Sequence, residues 1–303
     1  MIPRLIAIAF SLLLMTVASA SNMPTIDIGM TVVKVPIAPK SMDEAAKYLK
    51  KEAEKKGIQE IAHNYLHKEY KAQGLSNIRR IEIFQFCDAK LAKALIEHDM
   101  NFAAYLPCRV GLIEDEQSKG WFVMINPNIF KASMATMPPE LKKQAGKVCG
   151  TLMKIIGASP AATPANMPFM DMAQTVVKMP IVEDVDIDEA IESLLLRANN
   201  LNVKTVARLN LTDEYKALGL PNIRRTDIFQ FCDARISQKL LKHDIGYLVY
   251  MPCRITLVED NEGKGWFVMM NLDMLLPSHL HNQAVSFTEK LMEIIEAGAN
   301  GDL

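Results

Sequence analysis

The sequence predicts an α+β fold: two tandem homologous domains, each a largely antiparallel sheet with helices packed on one face. Three observations carry this. Tyr70 to Asn126 aligns with Tyr215 to Asn271 without a gap at an offset of 145, and 33 of those 57 positions are identical. Both copies order their periodic segments as β-α-β-β-α-β-β-α, with period-2 runs alternating with helical spacing. A short polar turn divides the last two strand-like runs of each copy, as in a β-hairpin. Mixed order with a hairpin puts helices on one side of an antiparallel sheet.

The elements follow in chain order. Thr31 to Ile37 is a β-branched run and reads as a strand. Ser41-Met42-Asp43-Glu44 is a capping box that opens a helix running to Lys56 and stopping at Gly57; its counterpart spans Asp186 to Asn200. Ile58 to Asn64 and Val203 to Asn210 are second strands, and Arg80 to Phe86 and Arg225 to Phe231 third strands. Asp88 and Asp233 are N-caps of short helices over Ala89 to His98 and Ala234 to His243. Ala104 to Glu114 and Val249 to Glu259 pair with Gly120 to Asn126 and Gly265 to Asn271 as hairpins. A last helix carries Leu141, Ala145, Val148, Leu152 and Ile155 on one face, with Leu291, Met292, Ile294 and Ile295 in the second copy.

The chain of 303 residues is long enough for two domains at roughly 150 residues each. With 50% hydrophobic and 23% charged residues it has the composition of a globular protein. The 34 basic and 35 acidic residues leave a net charge of -1, which argues against a nucleic-acid partner. Residues 1–20 read as a signal peptide: Arg4, an apolar Leu5 to Met15 too short to span a bilayer, and Ala18-Ser19-Ala20 as cleavage signal. The first repeat domain then covers 21–157, a Pro- and Ala-rich linker 158–165, and the second repeat domain 166–303. The expected location is periplasmic or secreted, with no membrane span.

Each copy holds two cysteines 21 residues apart: Cys87 with Cys108, and Cys232 with Cys253. Cys87 and Cys232 sit between a strand end and a helix N-terminus, a place that lowers a thiol pKa and is the more accessible of the two. Cys108 and Cys253 share a strand face with Val110 and Leu112, and with Ile255 and Leu257, and so face the core. Three readings stand: one disulfide per domain, favoured by an oxidising compartment; buried free thiols; or a thiol pair that handles a soft metal, haem or sulfur. Cys149 aligns with Thr288 and reads as a buried free thiol apart from both pairs.

Other candidates are weaker. His63 and His67 align with Arg208 and Thr212, and His279 and His281 have no first-copy match, so a histidine metal site would be private to one domain. His98 and His243 do match, and at helix C-termini they suit the dipole. Met167, Met170 and Met172 suit copper(I), but the first copy has Met23, Ile26 and Ile28 there, which favours apolar packing. Arg79-Arg80, Arg224-Arg225, Arg109 and Arg254 form a set able to bind an anionic ligand or the partner domain, although a solvated strand face is the commoner use. No nucleophile elbow, zinc-protease, Walker or dinucleotide motif is present, so no catalytic residue is assigned.

Phe-Cys-Asp-Ala, then Met-Pro-Cys-Arg-Ile-Thr-Leu-Val-Glu-Asp with Gly-Lys, then Met-Asn-Leu-Asp-Met, resemble the cysteine-bearing branch of the domain of unknown function 302 family. The motif cysteines are Cys232 and Cys253 in copy two and Cys87 and Cys108 in copy one. Copy one departs at Asn126-Pro127-Asn128-Ile129, which lacks the equivalents of Asp273 and Met274. The resemblance implies a compact α+β domain that often dimerises, and no settled activity, substrate or cofactor. The function expected is a non-enzymatic binding or interaction protein without cofactor, its tandem domains pairing as a pseudo-dimer or assembling into a homo-oligomer. A thiol or soft-metal redox protein using the four paired cysteines is the alternative.

Overall fold

A computed structural model describes residues 26–37, 41–158, 171–276 and 278–302. The signal peptide, Met23, Met167, Met170 and nearly all of the linker lie outside the described residues, as do the side chains of His279 and His281.

The α+β class is borne out. The first half runs α1 (Ile28–Thr31), β1 (Val32–Pro36), α2 (Met42–Lys55), β2 (Gln59–Asn64), α3 (Leu66–Ala72), β3 (Ile81–Cys87), α4 (Ala89–His98), β4 (Cys108–Glu114), β5 (Gly120–Ile125) and α5 (Pro139–Ile155). The second half repeats it as α6 (Met172–Thr175), β6 (Val176–Pro180), α7 (Ile187–Asn200), β7 (Lys204–Asn210), α8 (Leu211–Ala217), β8 (Thr226–Cys232), α9 (Ala234–His243), β9 (Cys253–Glu259), β10 (Gly265–Met270) and α10 (Ser278–Asn300). Each half forms a five-stranded sheet, in the orders β1-β5-β4-β3-β2 and β6-β10-β9-β8-β7, and every neighbouring pair is antiparallel.

The capping box at Ser41 forms as expected: its hydroxyl accepts from the Glu44 amide, and the Glu44 carboxylate accepts from the Ser41 amide at 2.9 Å. Asp88 and Asp233 cap α4 and α9. Two parts differ from the sequence reading. The strands expected from Ala104 and Val249 begin later, at Cys108 and Cys253, because Pro107 and Pro252 have no amide to give the ladder. The segments before them coil into 3-10 turns over Met100–Ala104 and Ile245–Tyr250. Helices α3 and α8 also appear where no element was expected; they are short, and each buries one Leu and one Tyr four residues apart, Leu66 with Tyr70 and Leu211 with Tyr215.

Both faces of each sheet are covered. In the first half, Val33, Phe84, Phe86, Val110, Leu112 and Phe122 meet α2 and α5 through Ala45, Leu49 and Leu152. The second half does the same with Phe229, Phe231, Ile255, Leu257 and Phe267 against α7 and α10. The opposite faces join in one apolar cluster that draws on both halves: Ile83, Ile113 and Val123 with Ile228, Val258 and Val268. Alternation along each strand thus sends odd and even residues to two different cores.

Candidate functional site

Polar contacts between the halves repeat with approximate two-fold symmetry. At the centre, Gln85 on β3 and Gln230 on β8 exchange amide hydrogen bonds, Gln85 Nε2 to Gln230 Oε1 at 3.1 Å and Gln230 Nε2 to Gln85 Oε1 at 2.9 Å. Both are fully buried. Arg109 Nη1 donates to the carbonyls of Met251 and Pro252, each at 2.8 Å. Arg254 Nη1 donates to those of Tyr105, Leu106 and Pro107 at 3.1, 2.9 and 3.2 Å. Tyr105 and Thr175 hydroxyls meet at 2.5 Å.

The two arginines were expected on a solvated face. They are instead 3% and 5% exposed, because that face is buried by the other half. No carboxylate lies within ion-pairing distance of either among the described residues. Burial, then the nearness of Arg254, pulls the Arg109 guanidinium well below its usual pKa. Burial brings Arg254 down to about 10. Arg80 and Arg225 are elsewhere and already engaged. Arg80 pairs with Glu82 and Asp43, each at 2.6 Å, and Arg225 with Asp188 at 2.6 Å and Asp227 at 3.2 Å, so each ties a third strand to the helix over it.

Cys87 and Cys108, expected as a pair, line one small cavity together with Cys149. All five are free thiols. Register places Phe86 opposite Cys108 and Phe231 opposite Cys253. The later cysteine of each pair therefore faces the helices, and the earlier one, a residue further along, faces the opposite half. Cys87 and Cys232 join the core between the halves, 6% and 2% exposed, so neither is the accessible thiol it was expected to be. Burial pushes Cys232 and Cys253 up to about 12, and Cys87 higher still. Cys149, expected to stand apart, shares a small cavity with Cys108 and Cys87. Among the described residues no three His, Cys, Asp or Glu side chains converge closely enough to hold a metal ion. His63 bonds Glu82 at 2.9 Å, His67 the Ile81 carbonyl at 2.8 Å, and His98 and His243 end α4 and α9.

A cavity of about 890 Å³ opens where the β4–β5 hairpin and the start of β3 meet α9 of the second half. Tyr70, Ile78, Ile81, Ile113, Trp121 and Leu241 give it an apolar wall. Its pseudo-symmetric counterpart, lined by Tyr215, Asn222, Thr226, Val258 and Ile96, has only about 10 Å³. The difference lies in α4 against α9. Glu97 on α4 bonds Arg224 at 3.2 Å and also pairs with Lys93, which draws the walls together. The aligned residues are Lys242 and Gln238, so Arg79 faces a cation across the open cleft and turns to Glu116 of its own hairpin at 3.1 Å. Glu114 and Asp115 line the same rim; Asp115 is held by the Trp121 indole at 2.7 Å. Sequence reading passed over this site, although the Glu97 to Lys242 reversal was visible in the repeat alignment.

The model for the family described as "Domain of unknown function DUF302" matches the chain twice, over residues 33–159 and 179–298. The chain belongs to the DUF302 family. Its two family regions coincide with the two sheets, as the repeat required. A solved structure, the uncharacterized conserved protein DUF302 from Bacillus stearothermophilus, is similar at 18% identity and a TM-score of 0.36, covering 42% of this chain and 97% of that one. No curated protein matches the chain.

Proposed function

We propose that this DUF302 tandem is an exported binding protein whose two domains pair as an internal pseudo-dimer and which takes its ligand in the open cleft at their junction. The observation that supports it is the inequality of the two clefts, about 890 Å³ against about 10 Å³, in halves that share one fold. A paired repeat with no binding task has no need to keep one end open. Cavities of this size and mixed lining suit small organic ligands.

The closed cleft suggests the ligand chemistry. There a carboxylate, that of Glu97, sits between Arg224 and Lys93. The open cleft has the arginine, Arg79, and has Lys242 where α4 has Glu97; Asp244 at the end of α9 also lines it but is taken up by Lys34 at 2.7 Å. An organic anion with an apolar body fits, its charge against Arg79 and Lys242 and its body over Ile78, Ile81 and Leu241. The competing Arg79–Glu116 pair is exposed, and such pairs contribute only about 0–1 kcal/mol. Export rests on Arg4, the Leu5 to Met15 run and Ala18-Ser19-Ala20.

An anionic aromatic dye of the anilinonaphthalene sulfonate type serves as probe. The protein should bind it at one site, and the pair Lys242→Glu with Gln238→Lys, which copies the closed cleft, should weaken binding at least about tenfold, a loss of about 1.4 kcal/mol. Unchanged affinity in that variant would overturn the cleft as the site. The mature chain should begin at Ser21 by N-terminal mass analysis; a mature chain that retains Met1 would refute export by this signal.

A further inference from the structure

The third cysteine of the first domain has no place in the binding reading, and topology gives it a specific neighbour. Cys108 begins β4 opposite Phe86, and Phe86 points toward α5. Side chains alternate along a strand, so Cys108 points toward α5 as well, and Cys87, next after Phe86 at the end of β3, starts from the opposite face. Cys149 lies on α5 and packs on the same apolar cluster as Cys108, whereas Cys87 belongs to the cluster on the other side of the sheet. A small cavity of about 40 Å³ is lined by Cys87, Cys108, Cys149, Leu106 and Val148, so the three thiols of the first domain border one space, and of these Cys108 and Cys149 pack on the helix-side cluster. Cys149 and then Arg254 lie near enough to Cys108 to favour its anion.

The second domain is a built-in comparison. Cys253 holds the position of Cys108, but the α10 residue at the place of Cys149, in the same cavity, is Thr288, whose hydroxyl donates to the Val285 carbonyl at 2.9 Å. Cys232 turns to Ser237 at 3.5 Å. No second thiol faces Cys253 from its helix side among the described residues.

We propose that Cys108 and Cys149 are a reversible dithiol–disulfide pair of the first domain, oxidised by a small-molecule disulfide or a thiol–disulfide oxidase, while Cys87, Cys232 and Cys253 remain thiols. The Cys108 thiolate attacks one sulfur of the oxidant, and the other sulfur leaves as a thiolate that takes up a proton. Cys149 then loses its proton and attacks the Cys108 sulfur of the mixed disulfide, releasing the second oxidant sulfur as a thiol. Two electrons pass from the cysteine pair to the oxidant; one disulfide is consumed and one formed. The bridge ties α5 to the start of β4, next to Arg109 and the Leu106-Pro107 loop that Arg254 holds.

The test equilibrates the folded full chain in mixtures of oxidised and reduced glutathione, quenches with acid, alkylates the remaining thiols and maps the peptides. The expected result is loss of two of the five thiols, with a single linked peptide joining Cys108 to Cys149, reversed by reductant. The Cys87→Ser variant should give the same bridge, and Cys149→Ser should keep all four remaining thiols. A bridge from Cys87 to Cys108, or five thiols still free at the most oxidising mixture, would overturn the proposal. Because the mapping is made on the wild-type chain, the result does not depend on either variant folding.

Discussion

Leu248 of the second domain lies against Gly111 of the first so closely that a Cβ on Gly111 would fall 2.4 Å from Leu248 Cδ2. At the pseudo-equivalent contact the sizes are exchanged. Thr256 stands in the place of Gly111 and donates to the carbonyl of Ala103 at 3.0 Å, and Ala103 stands in the place of Leu248. The two halves of the contact are therefore complementary and not interchangeable.

Gly111→Ala is expected to destabilise the chain by about 1–3 kcal/mol, because the new methyl overpacks a filled contact. Leu248→Ala should cost about 2–5 kcal/mol by leaving a cavity. The double variant should recover part of the loss, since the two changes share one contact. Chemical denaturation measures all three, and strict additivity would contradict the contact.

The same exchange predicts that each domain pairs better with the other than with itself. Two first domains would set Gly111 against Ala103 and leave a void; two second domains would drive Thr256 into Leu248. With a protease site placed within residues 159–170, the cleaved halves should co-elute as a one-to-one pair in gel filtration. Separation into monomers, or sorting into two homodimers, would refute the pairing.

Arg254→Met is expected to cost about 1–3 kcal/mol, because three buried carbonyls lose their donor. Arg109→Met removes the donor to two carbonyls and should act in the same direction. Arg254→Lys should not restore stability, since a compact ammonium is more strongly hydrated than a guanidinium and costs more to bury with no carboxylate beside it. Denaturation midpoints of the three variants check this; a Lys variant as stable as the native chain would speak against it.

Glu82 gives the stability a pH dependence of known sign. Burial raises its pKa, but hydrogen bonds from His63 and Arg80 outweigh that and hold it at about 2, against 4.5 for the free side chain. A carboxylate with a lowered folded pKa contributes stability that is fully present above about 4.5 and is lost as pH falls through about 2. Glu82→Gln should be less stable at neutral pH and lose less between those two values. Urea midpoints across that window, for both proteins, are the measurement.

Much of the architecture was legible because its signals are local. The capping box at Ser41, the Asp88 and Asp233 caps and the Glu116-Gln117-Ser118 turn act within a few residues, and the duplication doubles each of them. Helices α3 and α8 escaped notice because seven residues are too few for a clear period. The strands begin at Cys108 and Cys253, later than the β-like composition before Pro107 and Pro252 suggests, because the prolines lack the amides a ladder needs.

The sequence by itself determined two domains of one α+β fold, their element order and their alternating faces, since hydrophobic period and caps are properties of neighbouring residues. It also placed Arg109 and Arg254 opposite the helix-covered face. Only the tertiary structure decided what that face meets, and so turned arginines expected in solvent into buried ones. It alone brought Cys149 of α5 to the cavity that Cys87 and Cys108 share, because the partners of a strand residue are assigned only after the register with Phe86 and the position of α5 are set. The open cleft likewise required both halves: Lys242 and Arg79 are 163 positions apart, and their like charges matter only because domain packing sets them across one gap.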